Sequence, residues 1–285
     1  MASVTRPAGA SAPPAVSVCV PTYNGGEPLR AALASVLGQT WHDFELVVID
    51  DGSTDATPDI VASFADPRLR YLRNEHNLGP QGNWNRCLRE ARGRYVKLLP
   101  HDDLLHPDCL ARQVGVLEQD RGQRLALVFS SRRVIGPTGR LLTRRGYPGA
   151  REGVLPARRV VADCVRRGTN LLGEPGAVLM RKTLVDRVGP FDASNPYVID
   201  LDYWFRLLDH GDAYYCDADL ASFRVWPQSW SLAIGRDQGR EFRAFIRRVD
   251  ARVQACTTWP DRLLGRLTPA LNNLARLAFY RLHVH

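Results

Sequence analysis

No run of residues is apolar for long enough to cross a bilayer, which excludes a chain threaded through a membrane by helices. The first fourteen residues, Met1 to Pro14, are rich in Ala, Pro and Ser. They lack the apolar stretch an export signal requires and read as a disordered leader. None of the six cysteines stands in a C-x-x-C pair. They are scattered at 19, 87, 109, 164, 216 and 256, several inside apolar segments, where cysteine behaves as a small hydrophobe. That argues against a zinc site and for a reducing, cytosolic compartment. Two phosphate-binding signatures are missing as well. No G-x-G-x-x-G follows the first predicted strand, and no G-x-x-x-x-G-K-[ST] occurs anywhere. Phosphate would have to be held mainly through a metal. Internal repeats are also lacking.

What is present suffices for one large or two small domains: 285 residues, 45% of them hydrophobic. The net charge of +8 is unevenly spread. Residues 236–285 hold ten Arg against four Asp or Glu, a balance of +6, so the body is nearly neutral, which argues against a nucleic-acid groove across it.

Up to about residue 105 the chain alternates apolar strands with helical patterns. Strands are predicted at 16–20, 44–49, 69–73 and 95–99. Between them, one helix starts near Glu27 with Leu29, Leu33, Val36 and Leu37 on one face. A short helix covers 58–65, Asn77 to Gly79 is a turn, and a third helix over 82–92 presents Trp84, Leu88 and Ala91. This alternation implies an α/β fold, a Rossmann-like, mostly parallel sheet flanked by helices. Further on, the periodicity predicts helices at 107–119, 157–167 and 201–208. It also predicts a strand at 125–130, a hairpin around Pro137-Thr138-Gly139, a mobile loop over 143–156, and short strands at 177–180, 213–216 and 220–225. In the last fifty residues Phe242, Phe245, Ile246, Val249 and Val253 form one apolar helical stripe. Leu263, Leu267, Leu271, Leu274 and Ala278 form another.

Three predicted strands end in polar clusters: Thr22-Tyr23-Asn24, Asp50-Asp51 and Asp102-Asp103. In a parallel sheet these ends share one edge, where α/β proteins bind ligands. Adjacent carboxylates there repel unless a cation sits between them and a ligand. Mg²⁺ and Mn²⁺ favour one or two carboxylates plus phosphate oxygens. Asp102-Asp103 therefore reads either as a metal site holding a diphosphate or as the N-cap of the helix that follows.

Pro21-Thr22-Tyr23-Asn24, Asp50-Asp51-Gly52-Ser53-Thr54-Asp55, Asn77-x-Gly79 and Asp102-Asp103, in this order and spacing, resemble the family 2 glycosyltransferases of the GT-A fold. The resemblance covers about 16–231. It implies an inverting enzyme that uses a nucleotide-sugar donor, a UDP-sugar, with Mg²⁺ or Mn²⁺, and a glycan, lipid-linked or cell-envelope acceptor. Residues 15–105 would form the nucleotide-sugar half, 106–235 the acceptor half, and 236–285 a basic amphipathic helical extension. By the same likeness Asp51 pairs with the donor base and Tyr23 packs on it. Pro21, Thr22, Asn24, Asn77 and Gly79 line the donor pocket, Asp102 faces the sugar or ribose, and Asp103 ligates the metal. Asp200 falls where the family places its base, with Asp202 as the second candidate; both also suit a helix cap. Glu174 and Trp204 lie on the acceptor side, Glu174 being otherwise a solvated loop carboxylate.

Departures from the pattern are informative. Ile199 stands where Glu is common before the base. His101 occupies the first place of the metal motif, as a ligand or a spectator. Trp226 stands where some members carry a metal-assisting His; it and Trp230 either stack on a sugar or pack in the core. Asn83 and Asn85 read as helix caps or donor contacts. The basic tail either packs on the catalytic domain or lies peripherally on an anionic membrane. Two rival classes remain, a nucleotide-sugar-forming nucleotidyltransferase and a non-catalytic binding module. The turn after Val20 lacks the Arg and Lys that a triphosphate-binding loop needs.

Overall fold

The computed structural model describes residues 12–226 and 238–283. Residues 1–11 of the expected leader lie outside them. Pro14 already belongs to the fold, since its carbonyl accepts the Arg94 N–H at 3.2 Å.

The first strand, β1 (Val16–Thr22), is buried at every position, as is β2 (Phe44–Asp50). Both faces of the sheet are covered, so an unbroken apolar run suits these strands better than alternation. Val16, Val18 and Val20 enter the core formed with α1 (Gly26–Leu37), α2 (Thr57–Ala62) and α4 (Cys109–Gln119). Cys19 points the other way, into the core shared with α3 (Gly79–Glu90), α5 (Ala157–Arg167) and α7 (Ile199–Leu208). The period of two in a strand makes this division. All six cysteines are free thiols.

Among the described residues the sheet has ten strands. In one half β3 (Leu69–Arg73), β2, β1 and β4 (Tyr95–Leu98) run parallel. Next to β4, β9 (Val178–Arg181) runs antiparallel and joins it to β6 (Leu125–Ile135). Beyond it β10 (Asp212–Arg224) pairs parallel with β6. Short antiparallel strands complete the edge: β5 (Leu104–Leu105), β7 (Leu141–Arg145) and β8 (Gly153–Leu155). Lys97, one of the chain's two lysines, is fully buried in β4. It donates to the carbonyls of Gly176 at 2.9 Å and Val178 at 3.1 Å, tying the turn after Glu174 to the central strand.

Several expectations change. Helix α3 begins three residues earlier than its apolar pattern, directly after the Asn77 turn, in which Asn77 Oδ1 accepts the Gly79 N–H. The loop expected over 143–156 carries part of β7 and all of β8. It also buries Tyr147, whose hydroxyl donates to Asp163. The two strands expected over 213–225 are one, kinked by register shifts near Cys216 and Asp219. Helix α6 (Lys182–Val188) was too short to announce itself. The tail forms three described helices: α8 (Gln238–Arg248), α9 (Asp250–Cys256) and α10 (Trp259–His283). The first stripe is no appendage. Phe242, Phe245 and Val253 are buried in the same core as α5 and α7.

Candidate active site at the strand ends

A cavity of about 1280 Å³ opens where β1, β2 and β4 end. At the end of β1, Pro21, Thr22, Tyr23 and Asn24 line it, and Tyr23 is 46% exposed at the lip. Asn24 is in the left-handed region (φ 49°), held by two bonds to the β2 turn. Its N–H donates to Ser53 Oγ, and its Oδ1 accepts the Thr54 N–H, both at 2.9 Å. At the end of β2 the two carboxylates part company. Asp50 is fully buried and structural, accepting from the Ser53 N–H and the Tyr71 hydroxyl. Asp51 lines the cavity. Its Oδ1 accepts the Asn74 amide at 2.5 Å and the Leu78 N–H at 2.9 Å, while Oδ2 has no partner among the described residues. Asn77 and Gly79 line the same side.

Asn83 and Asn85 do not cap α3. Asn83 reaches across to the Ile49 carbonyl at 3.0 Å and to Asn74, so it supports Asp51 from behind. Asn85 clamps the backbone N–H and carbonyl of Phe191.

The Asp102-Asp103 pair divides in the same way. Asp102 lines the cavity with His101. Its Oδ2 accepts the Trp226 indole N–H at 3.0 Å. Asp103 is buried and absent from the cavity wall, and its Oδ1 accepts the Arg224 N–H at 2.9 Å. Burial, and then the neighbouring Asp102, push its carboxyl well above the usual range. The helix-cap alternative fails, because α4 starts only at Cys109 after Asp108. Among the described residues no three His, Cys, Asp or Glu side chains cluster as a ready-made metal cage. The donor set fits a different arrangement, a hard cation that brings phosphate oxygens with it and takes one or two carboxylates from the protein. Asp102, with Asp103 behind it, offers those.

Opposite the strand ends, Asp200 lines the cavity from the first turn of α7. Its Oδ1 accepts the Leu201 N–H at 2.7 Å and its Oδ2 accepts the Asn170 amide at 2.9 Å. Burial first, and then the charge of Glu174, raise its carboxyl to about 7. A carboxylate poised near neutrality suits proton transfer. Val198, not Asp200, stands at the N-cap position.

Asp202 is elsewhere. It is 3% exposed and off the cavity wall, between Arg206 Nε at 2.9 Å and Arg248 Nη2 at 3.0 Å. Those ion pairs remove it as a base.

Glu174 lines the cavity but is no solvated carboxylate, since it pairs with the buried guanidinium of Arg132. Burial works against its charge; Arg132 and Arg145 outweigh that and hold it below the usual range. Gly173, before it, has φ +101°, and a Cβ there would stand 2.7 Å from Arg132 Cζ. The pair therefore needs glycine at this position. Trp204 is core, not acceptor platform: it is fully buried and its indole N–H donates to the Gly173 carbonyl. Trp230 lies outside the described residues.

Sequence reasoning missed Asn170 and Arg132. It also missed that Asn272, Arg276 and Phe279 of α10 line the cavity beside Asn170. Asn170 had one local signal, an Asn shortly before a Gly, the composition of a turn. The others come together only through long-range packing.

A half-parallel sheet with Asp51 and Asp102 facing one cavity from two strand ends, Thr22-Tyr23-Asn24 beside them at a third, and Asp200 across from them, has the architecture of the GT-A fold. The chain belongs to glycosyl transferase family 2, which residues 17–184 match.

A Mycobacterium tuberculosis relative of uncharacterised role is 35% identical over 69% of this chain and 63% of its own length. The chain thus spans less than two thirds of that relative. An Escherichia coli enzyme named as a UDP-Glc:α-D-GlcNAc-diphosphoundecaprenol β-1,3-glucosyltransferase is 37% identical over 36% of this chain and 40% of its own. Among solved structures, S. aureus TarS 1–349 in complex with UDP-GlcNAc superposes with a TM-score of 0.65 at 19% identity, over 95% of this chain and 76% of TarS. The mannosyltransferase PcManGT from Pyrobaculum calidifontis, solved with GDP-Man and Mn²⁺, gives 0.59 at 19%, over 94% and 76%. These two likenesses establish the fold.

Proposed function

We propose that this chain is an inverting, metal-dependent glycosyltransferase that moves a sugar from a UDP-sugar to a hydroxyl of a lipid-linked or cell-envelope glycan at the cytoplasmic face of the membrane. The observation that carries the reading is Asp200, a carboxylate raised to about 7 in the cavity that Asp51 and Asp102 also line. The UDP-GlcNAc bound by TarS supports the donor class, and the diphosphoundecaprenol acceptor in the E. coli relative's name supports the acceptor class.

Each residue then has a task. Asp51 Oδ2 accepts an N–H of the base, and Tyr23 packs on the ring. Asp102, backed by Asp103, would hold Mg²⁺ or Mn²⁺ together with the donor diphosphate; the ion would neutralise charge on the leaving group. Asp200 takes the proton of the acceptor hydroxyl. That oxygen bonds to the anomeric carbon as the bond from that carbon to the diphosphate oxygen breaks. Nucleoside diphosphate leaves, and the anomeric configuration inverts. The Arg132–Glu174 pair and Asn170 keep Asp200 oriented. Trp226 fixes Asp102 where some family members carry a histidine.

Incubation with UDP-sugars and Mn²⁺ tests this. Slow release of UDP supports a transferase. Pyrophosphate-dependent release of a nucleoside triphosphate would show a nucleotidyltransferase instead, and binding without turnover would show a module that only binds.

A further inference from the structure

Helix α10 is packed inside out. Apart from Phe279, its inward side is mostly small or polar. Gly265 lies so close to α5 that a Cβ would stand 2.6 Å from the Val165 carbonyl. Thr268 Oγ1 donates to the Arg166 carbonyl at 3.0 Å, Asn272 donates to the Arg167 carbonyl at 2.5 Å, and Arg276 stacks at 5.5 Å over Tyr197. Its outward side carries the leucines. Leu267, Leu271 and Leu274 are 60%, 63% and 65% exposed, flanked by exposed Leu263, Leu264 and Leu277. A surface helix ordinarily turns such a stripe toward the core. Here the anchoring to α5 prevents that, and a contiguous exposed apolar face marks an interaction surface.

We infer that the leucine face of α10 docks on an anionic lipid surface. Three features favour a bilayer over a second helix. At 100° per residue, Leu277 to Leu264 span an arc of roughly 140°, wider than the two-position seam of a coiled coil. Ala270 and Ala278 fall inside that arc, with Ala275 at one edge and Arg266 at the other, so no acid flanks the stripe to pair with a partner helix as a coiled coil would. Of the four Arg in the sequence of α10, Arg276 turns inward over Tyr197 while Arg266 is exposed beside the stripe, and the single acid, Asp261, is already engaged by Arg166 and Thr258. A basic, acid-poor helix suits anionic headgroups. Trp259, at the start of the helix and 70% exposed, suits the headgroup layer. No described helix is long and apolar enough to cross a membrane, so the contact is peripheral.

The opposite side of α10 closes the acceptor end of the cavity through Asn272, Arg276 and Phe279. A bilayer under the leucines therefore sets that end against the headgroups. This last point rests on the transferase reading; the docking does not.

Sedimentation of the full chain with phosphatidylcholine vesicles, with and without phosphatidylglycerol, tests the inference. The expected result is pelleting with the anionic vesicles at low salt, weakened by high salt. A triple variant, Leu267→Glu, Leu271→Glu and Leu274→Glu, should keep its circular dichroism and its release of UDP from UDP-sugars. Its vesicle partition should fall at least ~100-fold. Wild-type chain that stays in the supernatant overturns the inference, as does a triple variant that pellets equally. So does a wild-type dimer in solution that the triple variant dissolves. Vesicle binding without UDP release would leave the docking standing and remove the transferase reading.

Discussion

Asn170 donates from one side-chain nitrogen to Asp200 Oδ2 at 2.9 Å and to the Gly173 carbonyl at 3.0 Å. Its Oδ1 accepts the N–H groups of Leu172 and Gly173. One residue thus folds the loop that carries Glu174 and orients the carboxylate proposed as the base. The bond also favours the ionised form of Asp200. Asn170→Ala should lower kcat roughly tenfold, the worth of a hydrogen bond to a charged group. The KM for donor should stay nearly constant, and the acid limb of the pH–rate profile should move up. A drop in kcat with an unmoved pH profile would show that Asn170 serves the loop alone.

Asp200 and Asp202 should separate cleanly. Asp200→Asn leaves the donor side untouched and lowers turnover by about 10²–10⁴-fold, the range for loss of a general base. Asp202→Ala leaves Arg206 without its carboxylate and Arg248 with Asp192 alone. It should cost about 1–3 kcal/mol of stability and act on turnover only through folding. Denaturant titration with single-turnover kinetics distinguishes the two. The reverse pattern would exchange their roles.

The carboxyl of Asp200, raised to about 7, fixes a pH dependence with a definite sign. The base works ionised, so kcat should climb as pH rises through about 7 and level off above it. Glu174→Gln removes a neighbouring negative charge, so the climb should move to lower pH. Stability runs the other way. A carboxyl raised on folding binds protons more tightly in the native state, so stability falls as pH rises from the unfolded pKa toward 7. Relieved of that penalty, Asp200→Asn should melt higher than wild type at pH 8, and the difference should fade near pH 4. Equal melting temperatures at both pH values would contradict the assigned burial.

The metal reading has its own test. Asp103→Asn keeps an acceptor for the Arg224 N–H, so the chain should stay folded. With a carboxyl that a cation could ionise lost beside Asp102, the thermal stabilisation by UDP plus Mn²⁺ should shrink, following RT ln(1 + [L]/Kd). Undiminished Mn²⁺-dependent stabilisation would take Asp103 out of the metal role and leave Asp102 as the ligand.

The strand-end clusters were legible because their signals are local. An apolar run followed at once by Asp-Asp or Thr-Tyr-Asn announces both the strand and its end, and α5 stands at 157–167, where its period of 3.6 placed it. Family membership followed from the order of these clusters. The pairs themselves were not decided there. Asp50 and Asp51, Asp102 and Asp103, and Asp200 and Asp202 are chemically alike in sequence. Neighbours in a strand or helix point in different directions, and the sequence states the difference without saying which direction holds the cavity. Long-range contacts chose. Arg224, 121 residues from Asp103, covers that carboxylate. Arg248, 46 residues from Asp202, takes that one. The leucines of α10 were visible as a stripe but not as an outward one, because a hydrophobic period fixes the face of a helix and only its packing against α5 fixes where that face is turned.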